Sequence, residues 1–164
     1  MYPVKHISGK YRIGLMAILI YCNQAESGIV NFMQAFKISK GSVINDLKKL
    51  SAKAEMHDVK LEYGRLTGYF FSGGEEKIRA FVFYVTAETR DNINTELLVA
   101  KIISHPFLDV YNKMTSTLRA MVKSLNVDMR PDYLALIVLF VSIMQVRTKA
   151  HRLLSLTLDP QGKA

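Results

Sequence analysis

Apolar residues fill the stretch from Ile13 to Tyr21 almost without interruption. A run with no polar side predicts a buried helix from Arg12 to Tyr21, ended at Asn23. Residues 1–9, with Pro3 and Gly9, read as a loose lead-in. Ser27 and Gly28 break the pattern. Val30 and Met33, with Phe32 and Phe36, then return at helical spacing in a helix of about two turns.

Ser39 is the natural N-cap of the next helix, because its hydroxyl can accept from an exposed amide of the first turn. Val43, Leu47 and Leu50 follow at i, i+4 and i+7, and Ala54 continues the stripe. Asn45, Lys48, Lys49 and Lys53 fall elsewhere, so the helix is amphipathic with a basic outer face.

After Asp58 the period shortens to two. Val59, Leu61 and Tyr63 alternate with Lys60 and Glu62, which predicts a strand. Gly64 to Gly68 is a turn and Tyr69 to Phe71 a returning strand. Gly68 is suited to the positive φ that such turns need. Gly73 and Gly74 end the hairpin. Ile78, Phe81, Val82, Tyr84 and Val85 then form a helical stripe, broken at Arg90-Asp91-Asn92. Leu97 to Ile103 reads as a short helix, with a boundary at His105-Pro106. Two longer helices follow, Phe107 to Leu125 and Tyr133 to about Leu154, before a frayed tail. The fold class expected is mainly α with a small β-hairpin: a winged helix-turn-helix followed by a helical bundle segment.

The chain has 164 residues, 49% of them hydrophobic, enough for one good core or two small ones. Its formal net charge of +8 favours a polyanionic partner, nucleic acid or an anionic membrane surface. The apolar run Tyr133 to Val146 falls short of the roughly 20 residues of a membrane span and contains Ser142 and Gln145, so no membrane is expected. No signal peptide is visible: Ile13 to Tyr21 lacks a small-residue cleavage site. The lone Cys22 suits a reducing cytoplasm and reads as an inert core residue.

His6, His57, His105 and His151 share no metal-ligand spacing. There is no nucleophile elbow, phosphate-binding glycine loop or paired-carboxylate signature, so neither an enzyme, a metal nor a cofactor is expected. His57 lies near the end of the basic helix, where it could steady the C-terminus or approach phosphate.

Helix, short helix, capped turn, basic helix and hairpin is a layout suited to DNA. A helix of that kind can enter the major groove while the hairpin touches backbone. Lysines neutralise phosphates, and short polar side chains read base edges. The expected contact surface is Lys40, Ser42, Asn45, Lys48 and Lys49, with Lys60 and Arg65 on the hairpin.

The segment Gly68-Tyr69-Phe70-Phe71-Ser72-Gly73-Gly74-Glu75-Glu76-Lys77-Ile78-Arg79 resembles one in bacterial sugar-operon regulators such as the mannitol-operon activators. Gly68, Tyr69, Phe71, Gly73, Glu75, Ile78 and Arg79 match, as do Ser39, Val43, Asp46, Leu47 and Leu50 in the basic helix. Together they cover about residues 10–85. Within the segment, Glu75 suits a helix start and can pair with Arg79 four residues on.

The resemblance implies a DNA-binding domain over 1–74, linker helices over 75–105 and, over 106–164, the opening of a phosphotransferase regulatory domain. Family members carry a phosphorylated histidine seven residues before an arginine. Arg147 matches the arginine, but the histidine position is Phe140, which has no nucleophilic nitrogen. Implied partners are double-stranded DNA, a second copy of the chain and, through domains outside this chain, phosphotransferase-system proteins. An RNA-binding antiterminator of the wider family is the alternative, although the residues before Arg12 are too few for its RNA-binding domain. An interaction module with a degenerate regulatory domain is a further one.

Overall fold

A computed structural model of the chain describes residues 7–22, 27–90 and 106–158. The expected helix Leu97 to Ile103, His6, His105 and most of the tail lie outside these residues. The order is α1 (Gly9–Cys22), α2 (Ile29–Phe36), α3 (Lys40–Glu55), β1 (Lys60–Gly64), β2 (Gly68–Ser72), α4 (Glu75–Arg90), α5 (Pro106–Ser124) and α6 (Pro131–Leu158). The protein is mainly α with one small antiparallel hairpin, as the periodicities predict.

The centre of the fold is α1. Arg12 and every residue from Gly14 to Cys22 are buried, because α3, α4, α6 and β2 all pack around this helix. It begins at Gly9, inside the stretch expected as a lead-in, and Ile7 before it is already buried. Gly14 lies against α4. A Cβ there would come within 1.7 Å of Thr89 Oγ1, so only a residue without one permits so close a crossing.

In α2 the buried residues are Phe32 and Phe36, one helical turn apart, while Val30 is 64% exposed. The expected inward Val30 is thus corrected. Val30 and Phe32 lie on opposite sides of the helix, and the two rings remove more apolar surface from water. In α4, Ile78, Phe81, Val82 and Val85 are buried as expected, but Tyr84 is not. Its hydroxyl donates to Glu88 at 2.8 Å, which keeps that end at the surface.

The hairpin pairs Lys60 with Ser72, Leu61 with Phe71, Glu62 with Phe70, Tyr63 with Tyr69 and Gly64 with Gly68. Gly68 has φ 71°, the left-handed conformation that closes a three-residue loop after a tight turn. Phe71 is buried edge-on against Phe81 of α4. Tyr63 is exposed despite its place in the alternation, because the hairpin projects beyond the core there; it rests on Tyr69 with ring centroids 5.0 Å apart.

One core runs from Ile7 to Ile143, with Phe107, Leu139 and Ile143 joining the residues of α1 to α4. Phe140 of α6 packs edge-on against Phe83 of α4 at 5.1 Å, and the Cys22 thiol faces the Ile143 carbonyl at 3.9 Å. Buried hydroxyls on these helices bond back to carbonyls one turn earlier: Thr86 to Val82, Thr89 to Val85 and Ser142 to Val138. The helix α6 is longer than its strict apolar run. By length and composition alone, Pro131–Thr148 is long and apolar enough to cross a membrane, a test that the core helix of a soluble protein also passes.

Candidate nucleic-acid interface

The connection from α2 to α3 is three residues long, Lys37-Ile38-Ser39. Lys37 takes φ 53°, and its N–H returns to the Met33 carbonyl, so the left-handed residue closes α2. Ser39 is extended, and its hydroxyl accepts from the Ser42 N–H at 3.2 Å, as the capping argument predicts. The Ser42 hydroxyl meets the same Ser39 oxygen at 3.0 Å. Ser42 is therefore half-buried and engaged with the cap, with one side left for an outside partner.

The inner face of α3 is Val43, Leu47, Leu50 and Ala54, joined by Asp46. Asp46 is buried and accepts from Arg12 Nε at 2.7 Å, and Arg12 also donates to the Ile7 carbonyl at 2.7 Å. This pair fixes α3 against α1 from inside, so the outer face of the helix is presented at a set angle. That face consists of Gly41, Asn45, Lys48, Lys49 and Ala52, all exposed, with Lys40 exposed in the first turn. Gly41 and Ala52 leave room for the helix backbone to approach another surface closely, which a pattern of polar side chains does not signal.

No ion pair engages Lys40, Lys48 or Lys49 among the described residues, whereas Lys53 is held by Glu88 of α4 and lies over the Tyr84 ring. The basic face is thus Lys40, Lys48 and Lys49, without Lys53. His57 is partly buried, its ring 5.4 Å from Phe81 and 4.8 Å from Tyr84, a packing that suits the role of steadying the C-terminal end of α3.

On the hairpin, Lys60 and Arg65 are exposed as expected. Glu62 shares the outward face of β1 with Lys60, so positive charge is unopposed only towards the tip, at Arg65 beside the fully projecting Leu66. The hairpin is tied down by Ser27, which the hydrophobic pattern marks only as a break. The Ser27 hydroxyl donates to the Tyr69 carbonyl at 2.7 Å, and the Tyr69 N–H donates to the Ser27 carbonyl at 2.9 Å. Burial pushes the Tyr69 phenol above its ordinary value, with Tyr63 adding to it.

Asp58, with φ 57°, turns the chain from α3 into β1, and its carboxylate meets Lys77 at 2.9 Å. That hydrogen bond and charge hold the Asp58 carboxyl below the usual range. Glu75 and Arg79 pair at 2.9 Å, as their spacing predicts. No group of three or more histidine, cysteine, aspartate or glutamate side chains positioned to hold a metal occurs among the described residues.

No family model, no curated protein and no solved structure matches this chain.

Proposed function

We propose that the chain is a DNA-binding transcription regulator built on a winged helix-turn-helix. In this reading α3 enters the major groove and the β1–β2 hairpin is the wing. The observation that carries the reading is the outer face of α3: Gly41, Asn45, Lys48, Lys49 and Ala52 exposed together on a capped helix whose opposite side is anchored through Asp46. Lys40, Lys48 and Lys49 meet phosphates, Asn45 reads a base edge, and Ser42 assists from the first turn. Arg65 at the hairpin tip and Lys60 at its base contact backbone.

The link to a sugar-uptake or sugar-utilisation operon, and through further domains to phosphotransferase proteins, rests on the sequence resemblance. Phe140 in place of the histidine makes the first regulatory site unable to take phosphate. Pairing of two copies on two half-sites belongs to the same proposal, supported by the exposed Met121, Leu125, Val127 and Tyr133 on the α5–α6 end.

The test is a gel shift against DNA upstream of the gene's own operon, with matched RNA as competitor. DNA is expected to bind the more tightly. Lys48→Ala with Lys49→Ala should weaken binding to all sequences and lower the slope of log affinity against log salt by about 2. Asn45→Ala should instead narrow the gap between operator and random DNA. Unchanged affinity and salt slope in the double lysine variant would remove α3 as the contact surface.

A further inference from the structure

Lys37 joins α2 to α3 with φ 53° and ψ 48°, in the left-handed region. The turn needs that conformation. The Lys37 and Ile38 N–H groups both return to the Met33 carbonyl, Ile38 packs against the core, and Ser39 is then extended to cap α3. Glycine takes this conformation freely, whereas a residue with a Cβ is strained in it. Among the described residues, Asp58 and Asn126 also have a positive φ, and each carries the short polar side chain that tolerates it. Lysine has no such relief. The Lys37 side chain is exposed, and no hydrogen bond or ion pair among the described residues accounts for it.

Strain kept where glycine would fit points to a use for the side chain. Lys37 precedes the Ser39 cap by two residues, so it lies at the same end of α3 as Lys40. In a helix-turn-helix, the N-terminal residues of the second helix face base edges while the first helix crosses the backbone. We propose that Lys37 is a phosphate contact at the rim of the major groove, set there by the left-handed turn. The inference rests on the DNA reading and adds to it a residue outside the α3 face. A competing role exists, because a cation at the end of α2 also meets the negative end of that helix. The two roles differ in sign. A lysine kept for the helix end makes the free protein more stable than glycine would. A lysine kept for phosphate leaves its strain uncompensated in the free protein, and relief of that strain outweighs the extra freedom of glycine in the unfolded chain.

The chain and its variants are melted, and their binding to a random-sequence DNA duplex is followed by fluorescence anisotropy at several salt concentrations. A phosphate contact is independent of sequence, so no operator is needed. Lys37→Gly should melt about 2–4 °C above the parent. It should nevertheless bind several-fold more weakly, with the slope of log affinity against log salt lower by about 1. Lys37→Arg, which keeps the charge, should recover most of the affinity that Lys37→Gly loses. Lys113→Gln removes an exposed charge from α5 and should change neither affinity nor slope. A lower melting midpoint in Lys37→Gly, unchanged binding in that variant, or an equal loss in Lys113→Gln would each overturn the inference. If Lys48→Ala with Lys49→Ala lowers the slope and Lys37→Gly does not, the inference falls while the DNA reading stands. A parent chain that binds no duplex removes both.

Discussion

Arg12 of α1 donates through Nε to Oδ2 of Asp46 on α3 at 2.7 Å, with the Asp46 side chain 2% exposed. The pair joins the most buried helix of the fold to the helix whose outer face is the candidate contact surface. A buried pair of this kind adds little net stability, but removing one partner leaves an uncompensated charge. Arg12→Met or Asp46→Leu alone should each cost about 3–5 kcal/mol in urea unfolding. The double substitution should cost less than either, because no charge is stranded. Additive losses in the double variant would show that the two residues do not act through each other.

The Ser39 cap is the local device that starts α3. Its hydroxyl serves the Ser42 amide, which has no partner inside the helix. Ser39→Ala should lower stability by about 1 kcal/mol, and Ser39→Asp should restore most of it. Thermal melts of the three proteins read this directly; a cap of no consequence would leave the midpoints equal.

The Ser39 cap and the hairpin were legible because each rests on neighbours in sequence: a hydroxyl three residues before an amide, and a period of two closed by Gly68. The inner face of α3 was legible for the same reason. The Arg12–Asp46 pair was not, since its partners are 34 residues apart and nothing in either segment alone names the other. Ser27 was passed over as a break because its role is a reciprocal backbone pairing with Tyr69, which periodicity does not register. Val30 and Tyr84 were misplaced for a different reason. Helical spacing ranks positions by angle, while burial is decided by which side chain removes the most apolar surface and which carries a polar end. The pairing of Glu75 with Arg79 was visible in the spacing. The arrival of Arg147 at the same carboxylate, 72 residues away, depends on how α6 packs.

The crossing of α1 and α4 at Gly14 allows little tolerance. An added methyl would collide with Thr89 Oγ1 and come within 3.0 Å of Thr89 Cβ. The collision involves a short side chain whose hydroxyl is bonded to the Val85 carbonyl, so it cannot swing away freely. Gly14→Ala should therefore destabilise by about 1–3 kcal/mol through overpacking, despite the better helix propensity of alanine. Thr89→Ala in the same chain should recover part of the loss by removing the oxygen, but not all, because Cβ remains. A Gly14→Ala protein as stable as the parent would mean that the two helices sit further apart.

Acid should loosen the join between α3 and α4 at Glu88. Burial pushes this carboxyl up, but hydrogen bonds from Lys53 and Tyr84 outweigh it and hold the group below its ordinary value. A carboxyl depressed in the folded state contributes stability that is fully present above its unfolded pKa and disappears as pH falls through the folded one. The side chain is about a third exposed, so the contribution is screened to about 0.5 kcal/mol. Urea midpoints measured from pH 7 down to about pH 3 should fall further for the parent than for Glu88→Gln, which has no proton to take up. The two curves should converge below the ordinary carboxylate range near pH 4, where Glu88 is protonated and the interaction is lost in both proteins. Parallel curves over the whole range would mean that Lys53 and Tyr84 hold Glu88 no more strongly than water does.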